Sequence, residues 1–294
     1  MIGLEKGKVK LCPHDTAWET EAKDTINKLK NILGDAADDI QHVGSTAIPT
    51  IVAKPIIDIA VAAESFEEIL KHENDLNSAG FFYRPSVEVN SQLLFAKGSY
   101  YEKTGDLQTH FIHVVLKDSM EWINYVNFRD FLIKRYDVAK EYEKLKLSLA
   151  EENSENEARE KYTEGKRDFV AYVLRKALVD FYLGKTVRIE MDRPIGSPHP
   201  KRKEIVYPIN YGYIPDVLGG DGEELDVYLL GVDVPVEEYT AKIIAIVHRH
   251  NDVEDKLVAA PEGAIFTKDE ISKSIYFQEK YYDSEIEIQT EQIK

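Results

Sequence analysis

Tyr207-Pro208-Ile209-Asn210-Tyr211-Gly212-Tyr213-Ile214-Pro215, followed after five residues by Asp221-Gly222-Glu223-Glu224-Leu225-Asp226-Val227, is the stretch on which the reading of this chain turns. A tyrosine-rich strand leads into a turn that carries acids at 221, 223 and 226, with Gly222 to bend the backbone. Carboxylates this close repel one another unless a cation sits among them or their pKa values rise steeply. Oxygen ligands suit a hard cation such as magnesium, so the stretch points to metal-assisted chemistry on a phosphate. The alternative without chemistry is an exposed acidic hairpin.

Composition narrows the partners. The chain has 294 residues, 43% of them hydrophobic, which is enough for two packed domains. A net charge of −16 repels a phosphate backbone, so nucleic acid is an unlikely partner. The single cysteine, Cys12, makes no internal disulfide, and the first residues lack an apolar signal core. The expectation is a cytoplasmic protein. The most apolar run, Ala53 to Ala63, is interrupted by Lys54 and Asp58, so no membrane span is expected.

The periodicity changes once. Trp18, Ala22, Ile26, Leu29 and Leu33 recur at helical spacing and predict a helix over 16–33. Ile40–Val43, Pro55–Ala63, Gln92–Lys97 and Thr109–Leu116 read as strands, Ser65–Ser78 as a helix, and Met120–Leu183 as mostly helical. Glu151–Glu160 reads as a solvated acidic helix or loop. After Lys185 the period falls to two, beginning with Val187-Arg188-Ile189-Glu190-Met191. The boundary is expected near 182–186, giving domains at 1–182 and 186–294.

The tyrosine strand and acidic turn closely resemble the soluble inorganic pyrophosphatase family. Lys256-Leu257-Val258-Ala259-Ala260-Pro261, preceded by Asp252, Glu254 and Asp255, and the late segment Phe277–Asp283 extend the likeness over roughly 186–288. The resemblance implies a small OB-type β-barrel and a magnesium-dependent hydrolase that splits diphosphate. It implies metal ligation by Asp221, Asp226, Asp252 and Asp255, with Glu254 able to replace either of the last two. Glu223 stands where the family has the aspartate proposed as general base, and Tyr211 completes the catalytic set. Lys256 and Tyr281 would contact substrate phosphates. Arg193, Lys201 and Arg202 are candidates for phosphate ligands otherwise missing, because Tyr282 replaces the lysine that follows the late tyrosine. For Lys201-Arg202-Lys203 a solvated basic turn is the competing reading.

The second informative run is His42-Val43-Gly44-Ser45-Thr46-Ala47-Ile48-Pro49, then Ala53-Lys54-Pro55-Ile56-Ile57-Asp58-Ile59. A Gly-Ser turn after a strand exposes N–H groups that can cradle phosphate. An acid on the next strand can hold a metal beside it. The run resembles the GrpB family, a branch of the nucleotidyltransferase superfamily, and His110–Val114, Phe128–Leu132, Tyr142–Lys146, Tyr162 and Lys166 extend the match over roughly 8–180. Gly44, Ser45 and Lys54 are thereby candidate substrate contacts and Asp58 a candidate metal ligand. Two departures stand out: Ala60 occupies the place of the second acid, and Thr50 that of a glycine. On a strand His110 and His113 face opposite sides, and the companion of Asp58 is either His113 or an acid that the sequence does not locate.

The fold expected is α+β: an N-terminal nucleotidyltransferase-like α/β domain with C-terminal helices, then the barrel. The function expected is a magnesium-dependent phosphoanhydride hydrolase acting on a small phosphate substrate, diphosphate first, which removes the product of a linked nucleotidyltransferase domain. A homo-oligomer is possible. The alternatives are a phosphate- or nucleotide-binding module without turnover, and a nucleotidyltransferase with an accessory barrel.

Overall fold

The computed structural model describes residues 2–5, 7–85, 91–98, 107–152, 158–200, 206–219 and 222–289. Asp221, Lys201 and Arg202 lie outside the described residues. The chain divides into two compact units, Met1–Leu174 and Arg175–Lys294. The sequence expectation placed the change at 182–186, where the period shifts; the units divide earlier, inside a helix whose later part, from Arg175, belongs to the second unit.

In the first unit, α1 (Ala17–Leu33) is amphipathic and ends where Gly34 takes a positive φ of 50°. It covers one face of a five-stranded sheet built from β1 (Ala37–Val43), β2 (Ile57–Ala63), β3 (Phe82–Tyr83), β4 (Leu93–Lys97) and β5 (His110–Leu116). The order is β1-β2-β5-β4-β3, with β2 and β5 parallel and the other neighbours antiparallel. Strand periodicity sorts β2 cleanly. Ile57, Ile59, Val61 and Ala63 join Trp18, Ala22, Leu29 and Leu33 in the core beneath α1. Asp58 and Ala60 belong to the alternate set, on the face crossed by α4 (Met120–Lys134).

The helix expected over 65–78 is two helices, α2 (Phe66–Lys71) and α3 (Glu73–Ser78), because His72 leaves helical geometry at ψ 7°. The later helices are α4, α5 (Tyr136–Glu152), α6 (Ala158–Glu164) and α7 (Arg167–Tyr182). No helix among the described residues is long and apolar enough to cross a membrane.

The second unit carries β6 (Thr186–Arg193), β7 (Asn210–Leu218), β8 (Glu224–Leu229), β9 (Glu238–Arg249), β10 (Lys256–Ala260), α8 (Lys268–Glu279) and β11 (Ser284–Ile288). Its pairings run β6–β7–β8–β10–β9 and return to β6, with β8 and β10 parallel and β11 added outside β9. This is the OB-type strand order. The ring closes because β9 is long: its start pairs with β6 through Glu238–Lys242, and its later half pairs with β10.

Part of the opening motif is spent on this architecture. A Cβ at Gly212 would run into the carbonyl oxygen of Glu190, so only glycine lets β7 lie this close to β6. Asn210 is fully buried, accepts from the Ile195 amide at 2.9 Å and donates to Val232 and Val234 carbonyls. It ties three segments together. The helix α8 was not foreseen. Its signals were present: a reciprocal cap between Thr267 and Glu270, and Ile271 and Ile275 one turn apart on the buried face.

Candidate functional site

The barrel site grows from the parallel pairing of β8 with β10. Val227 sits opposite Leu257, so the neighbouring residues Asp226 and Lys256 come to the same place from positions far apart in sequence. The Lys256 ammonium bridges the carboxylates of Asp226 and Glu254. Burial alone would lower the Lys256 pKa, but the two carboxylates outweigh it and hold the group charged. Tyr211 is 6% exposed and donates its phenol to Asp226; burial first, then the Asp226 charge, pushes its pKa well up. Gly219 completes the wall, since a Cβ there would strike the Glu254 carboxylate.

The contacts distinguish the late acids. Glu254, just ahead of β10, meets the Lys256 ammonium. Asp255 points the other way: Lys176 Nζ donates to both its oxygens at 2.7 Å, His248 Nδ1 lies at 2.9 Å and the Arg249 amide donates at 3.1 Å. The geometry therefore gathers Glu254 with Asp226, and sets Asp255 in a separate ionic cluster. Asp252 accepts from Arg249 Nη1 at 2.9 Å.

Arg249 was not singled out in the sequence, and no motif marks it. It is 3% exposed and makes a two-pronged contact with Glu279, with Nη2 at 2.6 Å and Nε at 3.2 Å. Tyr228 also donates to Glu279, at 2.6 Å. The face of the guanidinium is covered by the Tyr282 ring, 3.7 Å from the centroid. Tyr282 thus packs on an internal arginine.

The other predicted residues are more peripheral. Arg193 pairs in register with Tyr211 and bonds Asp192. Tyr281 lies in the turn after α8 and is half exposed, with Lys280 Nζ 5.0 Å from its ring. Glu223 is exposed, and its carbonyl accepts from Gly219 at 2.7 Å.

In the first unit Gly44 takes a φ of 71°, and a Cβ there would stand 2.5 Å from Asp58 Oδ2. The glycine is required twice, by backbone and by the carboxylate that packs on it. Ser45 opens a short 3-10 turn and hydrogen-bonds Tyr142, whose pKa burial pushes up to about 12. Asp58 Oδ1 lies 3.5 Å from His113 Nε2. Ala60 is fully buried and pairs with His113 across β5, so no second acid stands there. His110 faces the opposite side of the sheet, its Nε2 3.1 Å from Thr25 Oγ1. Lys54 Nζ sits 4.0 Å over the Tyr162 ring, Lys166 4.7 Å over the same ring, and the buried Lys146 4.6 Å over Tyr142. Among the described residues no group of three or more His, Cys, Asp or Glu side chains is arranged to hold a metal ion.

Two histidines in this unit set an acid limit. His42 and His110 are each lowered to about 4, chiefly by burial. The unfolded chain binds their protons below about 6.5, while the folded chain stays neutral until about 4. Stability is therefore lost as pH falls from 6.5 towards 4, by up to about 3 kcal/mol for each histidine. Urea unfolding of the full chain across that window should show the loss, and His42→Gln with His110→Gln should flatten it.

Comparison with known proteins follows the same division. The GrpB protein family model matches residues 8–176 and the inorganic pyrophosphatase model matches residues 177–283. The chain is thus a GrpB-type domain joined to a pyrophosphatase-type domain. The glutamate-rich protein GrpB of Alkalihalophilus pseudofirmus is 38% identical over 60% of this chain and 99% of its own length. The crystal structure of conserved protein GrpB from Enterococcus faecalis superposes with a TM-score of 0.53 at 24% identity, over 59% of this chain and 99% of that one. An inorganic pyrophosphatase from Neisseria gonorrhoeae is similar at 23% identity and a TM-score of 0.28, over 33% of this chain and 74% of that one. This protein belongs to the GrpB family.

Proposed function

We propose that the second unit hydrolyses a small phosphoanhydride, with inorganic diphosphate as its first substrate. The observation that carries this is the convergence of Tyr211, Asp226, Glu254 and Lys256 at one place on the barrel. The donor set is all hard oxygen, which fits magnesium: Asp226 and Glu254 would hold it, with Asp221 from the acidic turn. Bound there, the ion would neutralise phosphate oxygens and acidify a water.

The chain's own residues supply the rest. Lys256 neutralises the two carboxylates while no substrate is present. Were Asp226 and Glu254 to hold a cation, the Lys256 ammonium would be free to meet a phosphate oxygen. Tyr211 steadies Asp226 through its phenol. Glu223, exposed beside the turn, takes the proton of the attacking water. Arg193 and Tyr281 contact the leaving phosphate. The charge balance suits an anion only once a cation is present, so phosphate release should require magnesium and stop with chelator.

Linking this hydrolase to a GrpB domain has a chemical logic. Nucleotidyl transfer is close to balanced and releases diphosphate; hydrolysing that product draws it forward. The buried Ala60 favours a second reading for the first unit, a ligand-binding domain that does not transfer nucleotides. Phosphate release from diphosphate and from nucleoside triphosphates, with magnesium or chelator, separates these readings. Release from diphosphate alone supports the proposal, and release from neither substrate sinks it.

A further inference from the structure

Asp58 and His113 open into a cleft of about 450 Å³ in the first unit, a volume suited to a small organic ligand. Its opposite wall is one stripe of α4: Glu121, Asn124, Tyr125 and Phe128. Those positions fall on one helical face. Tyr142 closes the end, edge-on to Phe128 at 5.6 Å. His113 lies over Tyr125 with ring centroids 5.0 Å apart, and its Nδ1 is buried with no hydrogen-bond partner among the described residues.

The fixed charges in this cleft are carboxylates, with His113 beside one of them at 3.5 Å. Asp58 and Glu121 both line it, and among its described lining residues none is lysine or arginine. Both carboxylates act on the same phenol: after burial, Asp58 and then Glu121 raise the pKa of Tyr125. Lys146 stacks on Tyr142 at the cleft's end, and Lys54 and Lys166 stack on Tyr162, but none of the three lines the cleft itself. Aromatic faces attract cations through their quadrupole, and two carboxylates lining one cleft repel anions.

We propose that this cleft binds a protonated organic amine carrying a ring, with the ammonium between Asp58 and Glu121 and the ring among Tyr125, Phe128 and Tyr142. The inference goes beyond the hydrolase reading and stands without it, because every residue it uses lies in the first unit. It also gives the small molecule handled by that unit a chemical class: a cationic amine, distinct from the phosphate ligand of the barrel.

Three probes of matched shape test it: phenethylamine, neutral 2-phenylethanol and anionic phenylacetate. They are titrated onto the full chain in chelator and followed by ligand-observed NMR. The amine should bind at least tenfold tighter than phenylacetate, with the alcohol between them. Glu121→Gln should shrink that ratio to about threefold or less, and Glu121→Lys should reverse the order of amine and carboxylate. Circular dichroism of each variant confirms the fold, and Glu121→Gln preserves shape if the charge reversal does not fold. Equal or tighter binding of phenylacetate overturns the proposal, as does binding of none of the three. Displacement of the amine by one equivalent of magnesium, in a parallel titration without chelator, overturns it in favour of a metal site. Because diphosphate hydrolysis is read separately on the same protein, failure here and failure of the hydrolase reading are distinguishable.

Discussion

Asp226→Asn should reduce magnesium-dependent phosphate release from diphosphate by about 10²–10³-fold, the scale of losing several kcal/mol of charge stabilisation. The substitution keeps the shape and removes the charge. It leaves Tyr211 donating to a neutral amide and Lys256 paired with Glu254 alone. Asp233→Asn, an exposed acid on the loop after β8, provides the comparison and should be close to wild type. Steady-state phosphate release with varied magnesium checks both. A loss in Asp226→Asn that excess magnesium restores would place Asp226 in metal affinity; a loss that persists at saturation would place it in the chemistry. Activity unchanged in Asp226→Asn would remove the site from the barrel.

The second large effect is on stability. Arg249→Met should cost about 3–5 kcal/mol, because it leaves Glu279 buried and Asp252 without its cation. Glu279 would keep only the phenol of Tyr228 as a donor among the contacts described above. The paired variant Arg249→Met with Glu279→Met should recover much of that loss, since replacing a whole buried ion pair by apolar groups is often nearly neutral. Urea unfolding of the full chain measures both. A single variant as stable as wild type would show the network to be dispensable. A double variant no better than the single one would show that the geometry of the turn, not the isolated charge, carries the cost.

What the sequence revealed and what it withheld divide along physical lines. The helical stripe Trp18–Leu33 and the continuous apolar run of β2 were legible because their periods leave one answer. In the motif around Tyr211, the residues of fold and of site were interleaved: Gly212 and Asn210 build the barrel, whereas Tyr211 reaches Asp226. Glu254 and Asp255 both precede β10, so the turn that brings Glu254 to Lys256 and Asp255 to Lys176 left no period to read. Arg249 could not be read either, because its significance lies in Glu279 and Tyr282, which approach it only through the fold. The split of the 65–78 helix hangs on one backbone angle at His72, and no residue there announces it. The acidic cleft was half visible: Asp58 and His113 were named, but Glu121 reaches it only because α4 crosses the sheet.

The parallel pairing of β8 with β10 also has a temporal side. A growing chain that has emerged as far as Leu229 already contains Tyr211 and Asp226, yet Lys256 and Glu254 are still to be made. In ring order β10 is the last strand placed, and it follows the long return of β9. Pairings this distant form slowly because the loop must close before any contact rewards it. During synthesis the acidic turn therefore spends an interval without its lysine, its carboxylates open to whatever cations the surroundings provide. The barrel gathers Tyr211, Asp226, Glu254 and Lys256 and closes its last structural seam in a single event, so a chain interrupted before residue 256 carries the recognisable motif without the cluster.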